Sequence, residues 1–242
     1  MEHVPKISEI SFKDIKDCNL SGLYHLKNLR SLTIANTVNN PSINERVDFS
    51  KFDGLEELFV DWFDKGFDIS KNQKLVTVSI HKYYPQSLDF SELQLPKNIK
   101  NIELIRSNIQ TLKGIESNSI EKLEFYYCPR LKSLYGISAL SSQLHRLMIE
   151  NAKQLTAYNS LYDCKLLDSV VFVNCGNIDS LKRIKMLKNL SHFVLEKTVL
   201  NDGNMENLLA IDRVAFTNYK HYNCKCKSLN NDDWGYKIMR IL

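Results

Sequence analysis

Apolar residues along this chain fall into one short motif that returns ten times: an apolar place, two variable places, an apolar place, one variable place, and a third apolar place. The first apolar place holds Ile7, Leu29, Leu55, Leu75, Ile99, Ile120, Leu144, Leu167, Leu190 and Ile211. The second holds Ile10, Leu32, Leu58, Val78, Ile102, Leu123, Leu147, Val170, Phe193 and Val214, and the third Phe12, Ile34, Val60, Ile80, Leu104, Phe125, Ile149, Phe172, Leu195 and Phe216. Successive copies lie 22, 26, 20, 24, 21, 24, 23, 23 and 21 residues apart. All thirty places are apolar, where a 43% hydrophobic chain would supply about thirteen by chance. The second and third places are two residues apart, so on a strand they point to the same side. A period of this length predicts a repeat architecture in which each coil contributes one strand and neighbours stack to share a core.

The two longest copies extend the motif. Ile120, Leu123, Phe125, Cys128, Leu131 and Leu134 align place by place with Leu167, Val170, Phe172, Cys175, Ile178 and Leu181, both reading LxxLxLxxCxxLxxL. These residues resemble the leucine-rich-repeat family, in part its cysteine-type repeats, over roughly residues 7–219. The resemblance implies an α/β fold: a right-handed solenoid with one long parallel sheet of about ten strands, and return segments that mix helix, 3-10 turn and loop. At strand spacing such a sheet would be about 45 Å long. Helix-like spacing in the returns occurs at Leu20, Leu23 and Leu26 and at Leu181, Ile184 and Leu187. Residues 1–242 then form a single domain, with 1–28 as N-terminal cap and first repeat, 29–219 as repeats and 220–242 as C-terminal cap. Trp234 and Tyr236 are expected to cover the open end of the stack. The sequence departs from the family at the ninth place, where an asparagine commonly satisfies buried backbone groups. Here that place holds Tyr83, Ser107, Cys128, Ala152, Cys175, Thr198 and Tyr219, so an asparagine ladder is not expected and the solenoid should be irregular.

The residues between the inward places form three outward rows, at the third, fifth and seventh places of each copy. They hold seven acids (Glu9, Glu57, Asp61, Glu103, Glu124, Glu150, Glu196) against four bases (Lys13, Lys122, Arg146, Arg213), a net of −3 on a chain of formal charge +4. Apolar side chains interleave with the acids: Phe59, Ile105, Tyr126, Met148, Val171, Val173 and Val194, with Trp62 just beyond its row. Clustered apolar groups on a solvated face mark interfaces, with Tyr, Trp and Met as anchors. The plainer reading is strand propensity, since Val, Phe and Tyr fit any pleated surface. The candidate partner-binding residues are Glu57, Phe59, Asp61, Trp62, Glu103, Ile105, Glu124, Tyr126, Tyr127, Met148, Glu150, Val173 and Glu196.

Candidate chemistry adds little. There is no Gly-rich phosphate loop, H-E-x-x-H or G-x-S-x-G. Cys224-Lys-Cys226 near His221 is half a zinc signature. Cys128 and Cys175 share an inward place and read as core thiols. No enzyme, metal or cofactor is expected, and a small-molecule ligand is not indicated. A net acidic face disfavours nucleic acid as its ligand, and no apolar run is long enough to span a membrane. Without a charged-then-apolar leader at Met1–Ile7, a cytoplasmic location is expected. An acidic, aromatic-bearing concave face suits a basic protein. Leucine-rich-repeat proteins include ribonuclease inhibitors, and this chain resembles the immunity proteins of bacterial contact-dependent inhibition. The expectation is an inhibitor of a basic toxin, such as a nuclease. The alternative is a recognition or adaptor module in a signalling or substrate-receptor complex.

Overall fold

Each motif copy forms one strand: β1 (Glu9–Lys13), β2 (Ser31–Ala35), β3 (Glu57–Asp61), β4 (Thr77–His81), β5 (Asn101–Ile105), β6 (Lys122–Tyr126), β7 (Arg146–Glu150), β8 (Ser169–Val173), β9 (His192–Glu196) and β10 (Arg213–Phe216). The computed structural model describes residues 6–13, 20–35, 47–63, 67–116 and 119–226. The C-terminal cap expected around Trp234 and Tyr236 lies outside the described residues. The ten strands make a single parallel sheet in chain order. Equal places pair throughout, Leu123 with Leu147 and Phe125 with Ile149 being typical. A slip of one residue would turn every core side chain outward, so the motif itself fixes the register.

Twenty-six of the thirty motif places are buried. The four half-buried ones, Ile7, Ile10, Phe12 and Ile211, belong to the first and last copies, whose strands β1 and β10 are the two edges of the described sheet. The core is continued by the return segments, whose 3-10 turns bury Ile137, Leu140, Leu161, Ile184 and Leu208. Among the described residues the returns contain 3-10 turns and loop but no α-helix. The two stretches with helix-like spacing are themselves 3-10, at Leu20–His25 and Ile184–Met186. The returns of these 20–26-residue coils are closed instead by 3-10 turns of three to six residues, the short lengths in which that helix is used. An aromatic chain crosses the coils on the inside: Trp62 stands edge-on to Tyr83 at 4.7 Å, Tyr83 lies 6.1 Å from Phe90, and Phe90 6.3 Å from Phe125.

The absence of an asparagine ladder at the ninth place is made good by smaller donors. The Ser107 hydroxyl donates to the Tyr83 carbonyl at 2.7 Å, and the Thr198 hydroxyl accepts from the Cys175 N–H at 3.0 Å. The Cys175 thiol lies 3.3 Å from the Ile149 carbonyl oxygen, and the Cys128 thiol 3.7 Å from that of Tyr126. These side chains add bonds to the backbone at the coil ends, where the Tyr83 and Tyr126 carbonyls also accept from the Asn108 and Arg106 N–H groups. Coils also meet without room for a side chain: a Cβ on Gly136, whose φ is +103°, would stand 2.3 Å from the Leu112 carbonyl oxygen.

At the eighth place the chain leaves the strand through the left-handed region in six consecutive coils: Lys82, Arg106, Tyr127, Asn151, Asn174 and Lys197, with φ between 50° and 59°. In five of them the N–H still extends the ladder, donating to the next coil's seventh-place carbonyl, as Asn151 does to Val173 at 2.9 Å. Left-handed backbone costs an L-residue about 1–2 kcal/mol, least for asparagine and most for a β-branched side chain. Asn151→Val is therefore expected to lower stability by about 1–2 kcal/mol in urea unfolding, and Lys197→Asn to leave it unchanged or raise it.

Candidate protein-binding face

The alternation that buries the motif places sends the third, fifth and seventh places to the opposite face of the sheet. Of the candidate residues, Glu57 and Glu196 are exposed, and Phe59, Asp61, Trp62, Glu103, Ile105, Glu124, Tyr126, Met148, Glu150 and Val173 are half-buried. The register sets Glu103 directly opposite Glu124, followed in the same row by Met148. In the next row Ile105 stands opposite Tyr126, followed by Glu150 and Val173. The Tyr126 hydroxyl lies 3.3 Å from the Met148 sulfur, tying two of these strands together. β5–β7 thus carry a contiguous strip of Glu103, Glu124 and Glu150 interleaved with Ile105, Tyr126 and Met148. Glu57, Phe59 and Asp61 sit two strands to one side on β3, and Glu196 two strands to the other on β9.

Three candidates have other occupations. Asp61 accepts from Lys82 Nζ at 3.4 Å and faces His81 Nδ1 at 3.0 Å, so its charge is matched within the fold. The Trp62 indole packs between Tyr83 and Phe67, at 4.7 and 4.8 Å, as part of the inner aromatic chain. Tyr127 is 54% exposed but sits beyond the strand, on the rim, where it lines a groove of about 740 Å³. Val171 and Val194, expected among the exposed apolar groups, are buried at 6% and 3%, and Ser169 and His192 beside them at 7% each. The partly exposed large apolar groups of the outer face thus run from Phe59 on β3 to Val173 on β8.

The electrostatics are banded. Within the fifth and seventh places of β3–β7 there are four acids and no Lys or Arg. Lys122 and Arg146 stand at the third place on the strands' leading side, and Lys122 pairs with Glu124 at 3.0 Å. Behind the strip, the eighth place adds Lys82, Arg106 and Lys197. Counted with these, the described part of the face is neutral: an acidic strip between two basic margins.

Groups with latent chemistry are packing groups. Ser169 Oγ lies 2.9 Å from His192 Nδ1, but both are buried, and His192 is held below the usual imidazole range by burial and then by Arg213 and Arg146. Neither lines the rim groove that holds Tyr127. Burial raises the Cys128 and Cys164 thiols to about 12 and Cys175 to about 11. The thiolate is the reactive form. Iodoacetamide at pH 8 should accordingly leave these three unmodified in the folded protein and label them only after unfolding, as read by peptide mass mapping. Among the described residues no three His, Cys, Asp or Glu side chains are placed to hold a metal, and His221 Nε2 is engaged with the Leu200 carbonyl oxygen at 2.9 Å. No helix among them is long and apolar enough to cross a membrane.

No family model and no curated protein matches the sequence. Among solved structures, an internalin (inlF) from Listeria monocytogenes superimposes with a TM-score of 0.51 at 16% identity, over 88% of this chain and 54% of that one. A second Listeria monocytogenes internalin (inlC2) gives 0.47 at 16% identity, over 87% of this chain and 81% of the other. The chain spans about half the length of the first internalin. At this identity the likeness is one of fold. Ten stacked motif copies, one parallel sheet and that likeness together give the chain the fold of a leucine-rich-repeat solenoid.

Proposed function

We propose that this solenoid is a cytoplasmic inhibitor that covers a basic surface of a toxin, a nuclease being the best-fitting kind, with the strip over β5–β7. The observation that carries the reading is the strip itself: each of β5, β6 and β7 carries one carboxylate (Glu103, Glu124, Glu150) beside one apolar group (Ile105, Tyr126, Met148), with no cation at the fifth and seventh places of these strands. Enzymes that grip phosphate are basic around their active sites, so an acidic strip speeds encounter and fixes orientation. Tyr and Met supply the desolvated contact that holds the complex. A nucleic-acid ligand is disfavoured by the same three carboxylates. Cys128, Cys164 and Cys175 are buried as thiols, in keeping with a reducing compartment.

Co-expression with the product of the adjacent gene tests the reading. A tight complex and protection of the host from that product's toxicity are expected. A complex without protection, or one whose contact surface on the partner is acidic, rejects it. The adaptor reading draws on the basic margins, since a module that joins two partners uses two surfaces of opposite charge. It predicts several partners in a pull-down where the inhibitor reading predicts one.

A further inference from the structure

We propose that the rim groove beyond the ends of β5–β7 is a second binding site, independent of the sheet face, which takes an extended acidic peptide segment carrying an aromatic or apolar side chain. Three successive coils each place one cation in its lining, Arg106, Arg130 and Lys153, and no carboxylate lines it. None of the three makes an ion pair among the described residues. Elsewhere this protein does match charges from coil to coil: at the second place of the motif Arg30 pairs with Glu56, and Lys100 with Glu121 at 2.7 Å. Stacking at strand spacing makes such pairs easy to form, so three unmatched cations around one concavity leave a field that an anionic ligand would neutralise.

The groove also offers apolar surface. Tyr84 and Tyr127 line it at 49% and 54% exposure, among the most exposed large hydrophobic side chains described. Arg106 and Tyr127 occupy the left-handed eighth place, where the next two coils carry the less strained Asn151 and Asn174. Residues that cost stability where they stand are commonly retained for what they contact. The volume of about 740 Å³ is on the scale of a ligand site. The five coils that line it span roughly 19 Å, the length of about six extended residues.

A peptide fits better than a nucleic-acid strand. The side-chain oxygen of Asn108, which lines the groove, is shielded from solvent and has no hydrogen-bond partner. A buried acceptor left unpaired is costly, and a turn of the amide would let an arriving peptide N–H relieve it. A phosphodiester backbone has no N–H to give. A strand leaving the groove over the sheet would also meet Glu150 in the adjoining row.

The test uses the full chain and an array of ten-residue peptides with Glu or Asp at alternate places and Tyr, Phe or Leu among the others, set against the same peptides with Lys in place of each acid. A ten-nucleotide oligouridylate serves as the nucleic-acid probe. Acidic peptides should bind at least tenfold more tightly than their Lys counterparts, and less tightly as salt rises. R106E/R130E should abolish that preference with the circular dichroism spectrum and Tm unchanged, and Lys153→Glu, in a less strained backbone, should weaken binding in the same direction should the double variant fold poorly. Changing Glu103, Glu124 and Glu150 to Lys should not weaken it. Equal binding of the two peptide sets, a preference that survives both variants, or tighter binding of the oligouridylate would overturn the assignment.

Discussion

Phe125→Ala is expected to destabilise the protein by about 3–5 kcal/mol, the range for deleting a fully buried phenylalanine. Phe125 has no exposed surface, lies on β6 in the middle of the stack, and meets Phe90 edge-on at 6.3 Å. Its neighbours across the sheet are Leu104 and Ile149, both fully buried and both held by their own strands. Nothing adjacent is free to collapse into the space left behind, so the cavity cost adds to the forfeited transfer energy. The same change at Phe12, half-buried on the edge strand β1 of the described sheet, should cost less than half as much. Urea unfolding of both variants measures the contrast. Because a solenoid is stabilised by nearest-neighbour interfaces, weakening the middle should also broaden the transition and lower its apparent m-value as the two halves uncouple. Equal losses at Phe12 and Phe125 would contradict the view that stability resides in stacked interfaces.

Most of the fold was legible because a parallel solenoid repeats one local problem ten times. Once Leu123 and Phe125 are placed inward on one coil, the equivalent places of every other coil follow, and with them the register that sets Glu103 opposite Glu124. What the motif does not encode is how each coil ends. The left-handed turn at the eighth place had a visible signal, because asparagine or aspartate fills that place at Asp14, Asn36, Asn151, Asn174 and Asn218, and these residues tolerate positive φ. Lys82, Arg106 and Tyr127 in the same backbone state gave none. Without that turn the sheet face ends at the seventh place, which omits the cations that make its described part neutral and keeps Tyr127 with the strip when it belongs to the rim.

Side-chain fate on the outer face was harder still to anticipate. Trp62 follows a strand whose outward rows carry Phe59 and Asp61, and alternation alone cannot tell that its indole turns inward onto Tyr83. Val171 and Val194 occupy the same row as Met148, yet they are buried while Met148 is half-exposed. Burial on that face depends on packing between residues distant in sequence, which a repeat alignment does not contain. The return segments show the same limit from the other side: apolar spacing of three and four suggests helix, but the closing distance of a short coil selects the tighter 3-10 turn.

Reversing the charge of the central strip, with Glu103, Glu124 and Glu150 all changed to Lys, is expected to cost about 2–5 kcal/mol of binding to the proposed basic partner, a 30-fold to several-thousandfold loss. Isolated exposed pairs are worth far less, but pairs desolvated within an interface are not screened by solvent. All three side chains stand on the outer face, so the core should be untouched and the Tm nearly unchanged. Within the fold the change breaks the Glu124 ion pair with Lys122, which is partly exposed and of small value. Reversal of this strip should lower the association rate most at low salt, where the field extends furthest. A control at Glu57, two strands away on β3, separates strip from general charge: Glu57→Lys changes the net charge in the same sense and should cost less than a third of the triple variant's effect. Were the triple variant to bind its partner with unaltered affinity, the acidic strip would have no part in recognition, and the rim groove with its unmatched cations would remain as the surface to which a partner must be assigned.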